Sequence, residues 1–139
     1  MSATRPITVL IAALGGEGGG VLTDWIVRAA MMNGFAVQST SIPGVAQRAG
    51  ATTYYIEMLP QPANGKRPVL ALTPGVGDID IAVASELLEA GRTVANGFVT
   101  PERTTMIAST SRFFAMDEKV AMGDGRFDPD RLRKVIGEN

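Results

Sequence analysis

Neither cysteine nor histidine occurs among the 139 residues. Without cysteine the chain forms no disulfide, offers no thiol nucleophile and supplies no thiolate to a zinc ion or an iron–sulfur cluster. Without histidine it lacks the side chain that most often serves as general base and as zinc ligand. Classical hydrolytic chemistry is poorly provided for, and any catalysis the chain joins must draw reactive groups from a cofactor or a partner. An excess of one charge is missing too. The 13 basic and 14 acidic residues leave a formal net charge of -1, which argues against a nonspecific polyanion binder. No apolar run approaches the length of a membrane span. The run from Ile7 to Leu14 is at the short end for the apolar core of a signal peptide, and it makes complete sense as a buried parallel strand. A cytoplasmic location is the expectation. There is no internal repeat and no low-complexity segment.

What is present is enough apolar material for one ordered domain: 45% hydrophobic residues against 19% charged. Its organising stretch is Ala13-Leu14-Gly15-Gly16-Glu17-Gly18-Gly19-Gly20-Val21. An apolar run enters it and an amphipathic segment, Val21 to Met32, leaves it. Short apolar run, glycine cluster, helix is the opening of a βαβ unit. The glycines permit a tight turn and bare N–H groups at the positive end of a helix, where an anion or another backbone can approach. Ala13 replaces the first glycine of the dinucleotide fingerprint. The expected second strand, Phe35 to Thr40, ends in Gln38-Ser39-Thr40-Ser41 and offers no acid to an adenine ribose. Both facts count against an NAD or NADP dehydrogenase. An anion-binding loop and a tight turn that binds nothing both remain open.

Along the first helix Val21, Leu22, Trp25, Ile26, Ala29 and Ala30 share one broad apolar face, with Trp25 read as core or interface filler. Asn33-Gly34 ends the helix. Ser41 to Gly50 reads as a loop, by Pro43-Gly44 and the closing Gly50. It holds Gln47 and Arg48, an amide and a forked cation suited to phosphate, carboxylate or a partner's backbone. A surface arginine in a turn is the simpler reading of those two residues alone. Ala51 to Met58 is a β-branched and aromatic strand, closed by Pro60 and Pro62. Asp80 to Ala84 is a short strand, and Ser85 is the expected cap of a helix opening with Glu86-Leu87-Leu88-Glu89. Met106 to Thr110 is a further strand. Phe113 and Phe114 are core candidates, and Asp117-Glu118-Lys119 is a turn. Gly123-Asp124-Gly125 is a turn without the carboxylate pattern of a calcium loop. Asp128-Pro129-Asp130 caps a final helix, Arg131 to Ile136.

The order of these stretches resembles a known family. Gly15-Gly16-Glu17-Gly18 after the first strand, Gly44-Val45-Ala46-Gln47-Arg48 before a Thr/Tyr-rich strand, and Gly77 to Arg92 together look like the gamma subunit or domain of 2-oxoacid:ferredoxin oxidoreductases. The likeness is closest to the beta subunit of indolepyruvate oxidoreductase. Glu17 stands where that subunit has Gln, and Arg48-Ala49-Gly50 where members usually carry Arg-Gly-Gly. The resemblance runs to about Thr110.

That resemblance implies a three-layer, Rossmann-like α/β domain, with a mostly parallel sheet and helices on both faces. It implies one gamma-type domain over residues 1–139, or the N-terminal part of a longer subunit. The implied function is a non-catalytic component of a hetero-oligomeric enzyme that oxidatively decarboxylates a 2-oxoacid, such as indolepyruvate or another aryl pyruvate. Coenzyme A takes the acyl group and ferredoxin the electrons. Thiamine diphosphate and the iron–sulfur clusters are expected in a large catalytic partner, with no metal, nucleic acid or membrane on this chain. Gly15, Gly16, Gly18, Gly19, Gly20, Gln47 and Arg48 are expected to line one functional edge, docking the partner and contacting coenzyme A phosphates. None of them is assigned as acid, base or nucleophile, and the isolated chain is expected to be inactive. The rival readings are a free-standing nucleotide- or anion-binding regulatory module and a scaffold whose glycine loop only packs.

Overall fold

The computed structural model describes residues 5–43, 51–60, 65–112, 119 and 121–137. Ile7–Leu14 forms β1, and Thr8 to Ala13 are buried without a break. A strand covered on both faces requires such a near-continuous apolar run. The remaining elements are α1 (Gly19–Met32), β2 (Phe35–Pro43), β3 (Ala51–Pro60), β4 (Ile81–Ala84), α2 (Leu87–Ala95), β5 (Thr105–Ala108) and α3 (Pro129–Gly137). Gly34, with φ 76°, follows the Asn33 cap of α1 as its sequence predicts. Pro62, Phe113, Phe114, Asp117 and Glu118 lie outside the described residues.

The sheet has the order β2-β3-β1-β4-β5. β4 lies parallel to β1, and β5 to β4. β3 is antiparallel to both of its neighbours. Four strands therefore point one way and β3 alone reverses. The reversal follows from the connection. Residues 44–50 separate β2 from β3, fewer than the dozen or so that a parallel crossover needs.

Side chains alternate along β1 and divide the core into two layers. Val9, Ile11 and Ala13 pack with Ile56, Met58 and Ala30, under α1. Leu10 joins Tyr55, Ile79, Ala82 and Val99 on the other face, where Ala12, Ala84, Ala90 and the partly buried Ile136 bring in α2 and α3. This is the three-layer α/β arrangement expected, with a mostly parallel sheet and helices on both faces.

The fold divides the broad apolar face of α1 between core and solvent. It buries Gly19, Thr23 and Ala30, with Ile26 and Val27 packed against the core. Val21, Leu22, Trp25 and Met32 face outward. The helix carries two apolar stripes, and periodicity selects the bulkier one. The sheet takes the stripe in which the small Gly19, Thr23 and Ala30 accompany Ile26 and Val27, because the small residues let the helix axis approach closely. Thr23 is buried there without polar loss, since its hydroxyl donates to Gly19 O at 2.8 Å.

A second buried polar device sits on the opposite face. Tyr55 donates to Glu57 Oε1 at 2.9 Å, and Ala71 N–H donates to Glu57 Oε2. Thr40 Oγ1 donates to Leu72 O at 2.6 Å. These bonds fasten the irregular segment after Gly65 to β2 and β3. Burial, and then the Glu57 carboxylate, push the Tyr55 phenol well above its ordinary range, so it remains a neutral donor. No helix among the described residues is long and apolar enough to cross a membrane.

Candidate functional site

The C-terminal ends of β1, β2, β4 and β5 open onto one edge of the sheet, the edge at which ligands of open α/β sheets bind. The glycine loop leaves β1 there. Leu14 to Glu17 closes a turn, with Glu17 N–H donating to Leu14 O at 3.2 Å. Gly16 and Gly18 have φ of 86° and 80°, left-handed values that only glycine adopts readily. Gly18 caps α1 in that conformation, and no side chain caps this helix.

Gly19 and Gly20 have a different purpose. A Cβ on Gly19 would lie 2.7 Å from Ala13 Cβ and 2.8 Å from Tyr54 Cε2. The start of α1 thus rests on β1 and on the Tyr54 ring. A Cβ on Gly20 would meet Tyr54 Oη at 3.5 Å, an ordinary contact. Gly19→Ala is therefore expected to destabilise the chain by about 1–3 kcal/mol, the range for overpacking. Gly20→Ala should be neutral or stabilising by up to about 1 kcal/mol, from helix propensity. Urea denaturation of the two variants checks the contrast; equal effects would refute the close approach.

Glu17, although exposed, folds back on the loop. Its Oε2 accepts from Leu14 N–H at 3.3 Å and from the Ser85 hydroxyl. Ser85 Oγ also accepts from Leu14 N–H, at 3.3 Å. Ser85 N–H donates to Ala12 O at 3.0 Å. The carboxylate therefore clasps the end of β1 to the end of β4, a link across 68 residues of sequence.

Ser85 is not the helix cap that its sequence position suggests. Glu86 takes that place, in extended backbone, with Oε2 accepting from Leu88 N–H at 2.7 Å and Glu89 N–H at 3.2 Å. Its other oxygen, Oε1, accepts from Arg112 Nη1 at 3.1 Å. Leu87 N–H donates to Ser111 O at 3.0 Å. The anion at the start of α2 is thus built in, whereas α1 has no side-chain cap. Glu89, beside it, is buried, and burial pushes its carboxyl above the usual range against the attraction of Arg92. Beyond β5, a cleft of about 420 Å³ is lined by Leu87, Met106, Ala108, Thr110 and Ile136 among others.

Of the residues expected at this edge, Gly15, Gly16 and Gly18 are exposed, Gly20 is half-buried and Gly19 is buried. Gln47 and Arg48 lie outside the described residues. The strand ends on either side of them do belong here: Ala51 pairs with Leu14, and Pro43 with Thr52. Sequence reasoning missed Glu17 and Arg112. The signal for Glu17 was its place as the lone charge in a run of glycines. Arg112 carried none. Among the described residues no group of three or more His, Cys, Asp or Glu side chains is placed to hold a metal ion.

A family model described as pyruvate ferredoxin/flavodoxin oxidoreductase matches residues 8–135. The chain belongs to this family. Its fold is similar to that of subunit PORC of pyruvate oxidoreductase from Thermotoga maritima, at 15% identity and a TM-score of 0.57, over 96% of this chain and 57% of that one. The gamma subunit of keto/oxoacid ferredoxin oxidoreductase from Geobacter sulfurreducens matches at 14% identity and a TM-score of 0.45, over 73% of this chain and 60% of that one. This member of the oxidoreductase family thus spans a little over half the length of the solved relatives it matches. Comparison with curated proteins gives no match.

Proposed function

We propose that this chain is the non-catalytic, gamma-like component of a cytoplasmic 2-oxoacid:ferredoxin oxidoreductase, acting as one domain of a hetero-oligomer. The observation that carries the reading is the family match across residues 8–135. With no histidine and no cysteine, the chain leaves thiolate ligation and imidazole acid–base chemistry to the catalytic partner. When bound there, thiamine diphosphate supplies the decarboxylation chemistry, iron–sulfur clusters pass electrons to ferredoxin, and coenzyme A accepts the acyl group. This chain contributes a docking edge: the glycine loop, with the connection that carries Gln47 and Arg48. The Glu17 carboxylate on Leu14 N–H and Ser85 favours a protein partner at that edge over coenzyme A phosphates, because a fixed negative charge disfavours a second anion. The likeness of motifs favours indolepyruvate or another aryl pyruvate as substrate; pyruvate, for which the Thermotoga relative is named, is the competitor.

The test is reconstitution. The chain alone, given coenzyme A, a viologen acceptor and either oxoacid, is expected to show no turnover. Co-expressed with a thiamine-diphosphate subunit encoded beside it, the chain should co-purify and restore activity. Turnover by the chain alone, or full activity of the catalytic subunit without it, would refute the proposal.

A further inference from the structure

The outward stripe of α1 is exposed and apolar. Val21, Leu22, Trp25 and Met32 are exposed by 54, 37, 67 and 87%, and Ala29 lies exposed among them. At helical spacing they form one band over the full length of the helix. Contiguous apolar surface of this kind marks an interaction face. The flank of the band carries Asp24 and Arg28, both exposed. Neither has an ion pair among the described residues.

We propose that this stripe pairs two copies of the chain, α1 against α1 in antiparallel, about a two-fold axis passing near Ile26 and Val27. The sequence of the stripe is self-complementary about that point. Asp24 and Arg28 are equally spaced around Ile26, so each carboxylate meets the other copy's guanidinium, twice. Trp25 and Ala29 are centred on Val27, so each large ring meets a small residue. Val21 and Met32 are centred between Ile26 and Val27, so the ends of the stripe pair apolar with apolar. In an antiparallel helix pair the same flank of each helix meets its copy, which is what the charge pair requires. An isologous contact, in which residue i meets j and j meets i, needs this kind of symmetry. A surface selected by an unrelated subunit does not. One helix pair buries less than the standard interface of about 800 Å² per partner, so the expected dissociation constant is on the order of micromolar. The proposal is independent of the docking edge assigned above, since it concerns the outward side of α1 and the chain by itself.

The experiment uses the whole chain. Its mass by light scattering should rise with concentration from 14.6 kDa towards twice that value. Trp25 is the sole tryptophan, so its emission should shift to the blue over the same range. Trp25→Glu should raise the dissociation constant at least about 100-fold, as loss of a central aromatic anchor does. Asp24→Arg and Arg28→Asp, each of which sets like charges across the axis, should weaken the dimer roughly tenfold. Combined in one chain, the two exchanges restore opposite charges and should return the dimer to near its original strength. Thermal melting controls for folding. The proposal is overturned if the unsubstituted chain stays monomeric up to roughly 200 μM, well above micromolar affinity, or if both single exchanges dissociate the dimer and the double does not recover it. It is also overturned if Trp25 emission shifts only on addition of a catalytic subunit.

Discussion

Glu86→Ala should lower the folding stability of this chain by about 3–5 kcal/mol, the range for breaking a buried ion pair by removing one partner. The Glu86 side chain is 2% exposed and that of Arg112 13%. Three separate losses meet at this position. Leu88 and Glu89 lose the acceptor for their N–H groups, which by itself costs about 1 kcal/mol at a helix N-cap. The Arg112 guanidinium, itself largely buried, loses its bond to Glu86 Oε1. The segment after β5, tied to α2 through Leu87 N–H and Ser111 O, loses its second fastening. For a chain of this size the melting temperature should fall by roughly 10–20 °C. Glu86→Gln keeps an acceptor for the cap and gives up the charge, so its loss should be clearly smaller. The double variant Glu86→Ala/Arg112→Ala should lose less than the sum of its single variants, because the two side chains interact directly and each single change already removes that contact. Calorimetry on the four proteins measures this. A loss below about 1 kcal/mol for Glu86→Ala would mean that solvent reaches the pair and screens it.

The position of that cap shows where sequence reasoning stops. Ser85 and Glu86 are both acceptable caps by residue type, and choosing between them depends on a partner elsewhere. Arg112 makes Glu86 the better buried anion, and Glu17 takes the hydroxyl of Ser85. Neither partner lies within a helical turn of the position it decides. The elements whose causes are local were legible: β1 from its unbroken apolar run, the glycine turn, the Asn33-Gly34 stop, and the strand that Pro60 closes; β2 instead runs on through Pro43, three residues into the stretch read as a loop, because Ser41, Ile42 and Pro43 pair with β3. The three-layer class came with the family resemblance that the order of these stretches carries. The placement of β3 between β2 and β1 did not, since pairing is a long-range choice. Its direction was within reach, from the short connection at residues 44–50. Which part of α1's broad apolar face turns inward was not legible, for a physical reason. Hydrophobic periodicity weighs bulk, and here the sheet takes the face on which the small Gly19, Thr23 and Ala30 lie beside Ile26 and Val27. The bulky stripe is left exposed.

At the end of the sheet away from the glycine loop, Asp80→Ala should cost about 3 kcal/mol, the upper range for orphaning a buried donor together with the loss of charged hydrogen bonds. Asp80 closes the β1–β4 ladder with its side chain. Its Oδ2 accepts from Thr8 N–H at 2.9 Å and from Thr8 Oγ1 at 3.0 Å. Its Oδ1 accepts from Arg5 and from Arg103 Nε, the latter at 3.2 Å. Its own backbone takes part as well: Asp80 N–H donates to Thr8 O at 3.1 Å, and Thr105 N–H donates to Asp80 O at 2.8 Å. Thr8 is 1% exposed, so its N–H loses its acceptor in a shielded position once the carboxylate is gone. Arg103 already holds a buried Nη2 with no hydrogen-bond partner among the described residues, and would keep only Asp78. Asp80→Asn retains an acceptor for Thr8 and loses the attraction to both arginines, so about half the loss should remain. The Asp80–Arg103 coupling, from a double-mutant cycle with Arg103→Ala, should fall at about 0.5–3 kcal/mol. These changes lie at the N-terminal ends of β1 and β4, whereas the proposed docking edge lies at their C-terminal ends. Partner binding by Asp80→Asn, measured below its melting transition, should therefore match that of the unsubstituted chain. Lost binding by a folded Asp80→Asn would move the docking surface to this end of the sheet.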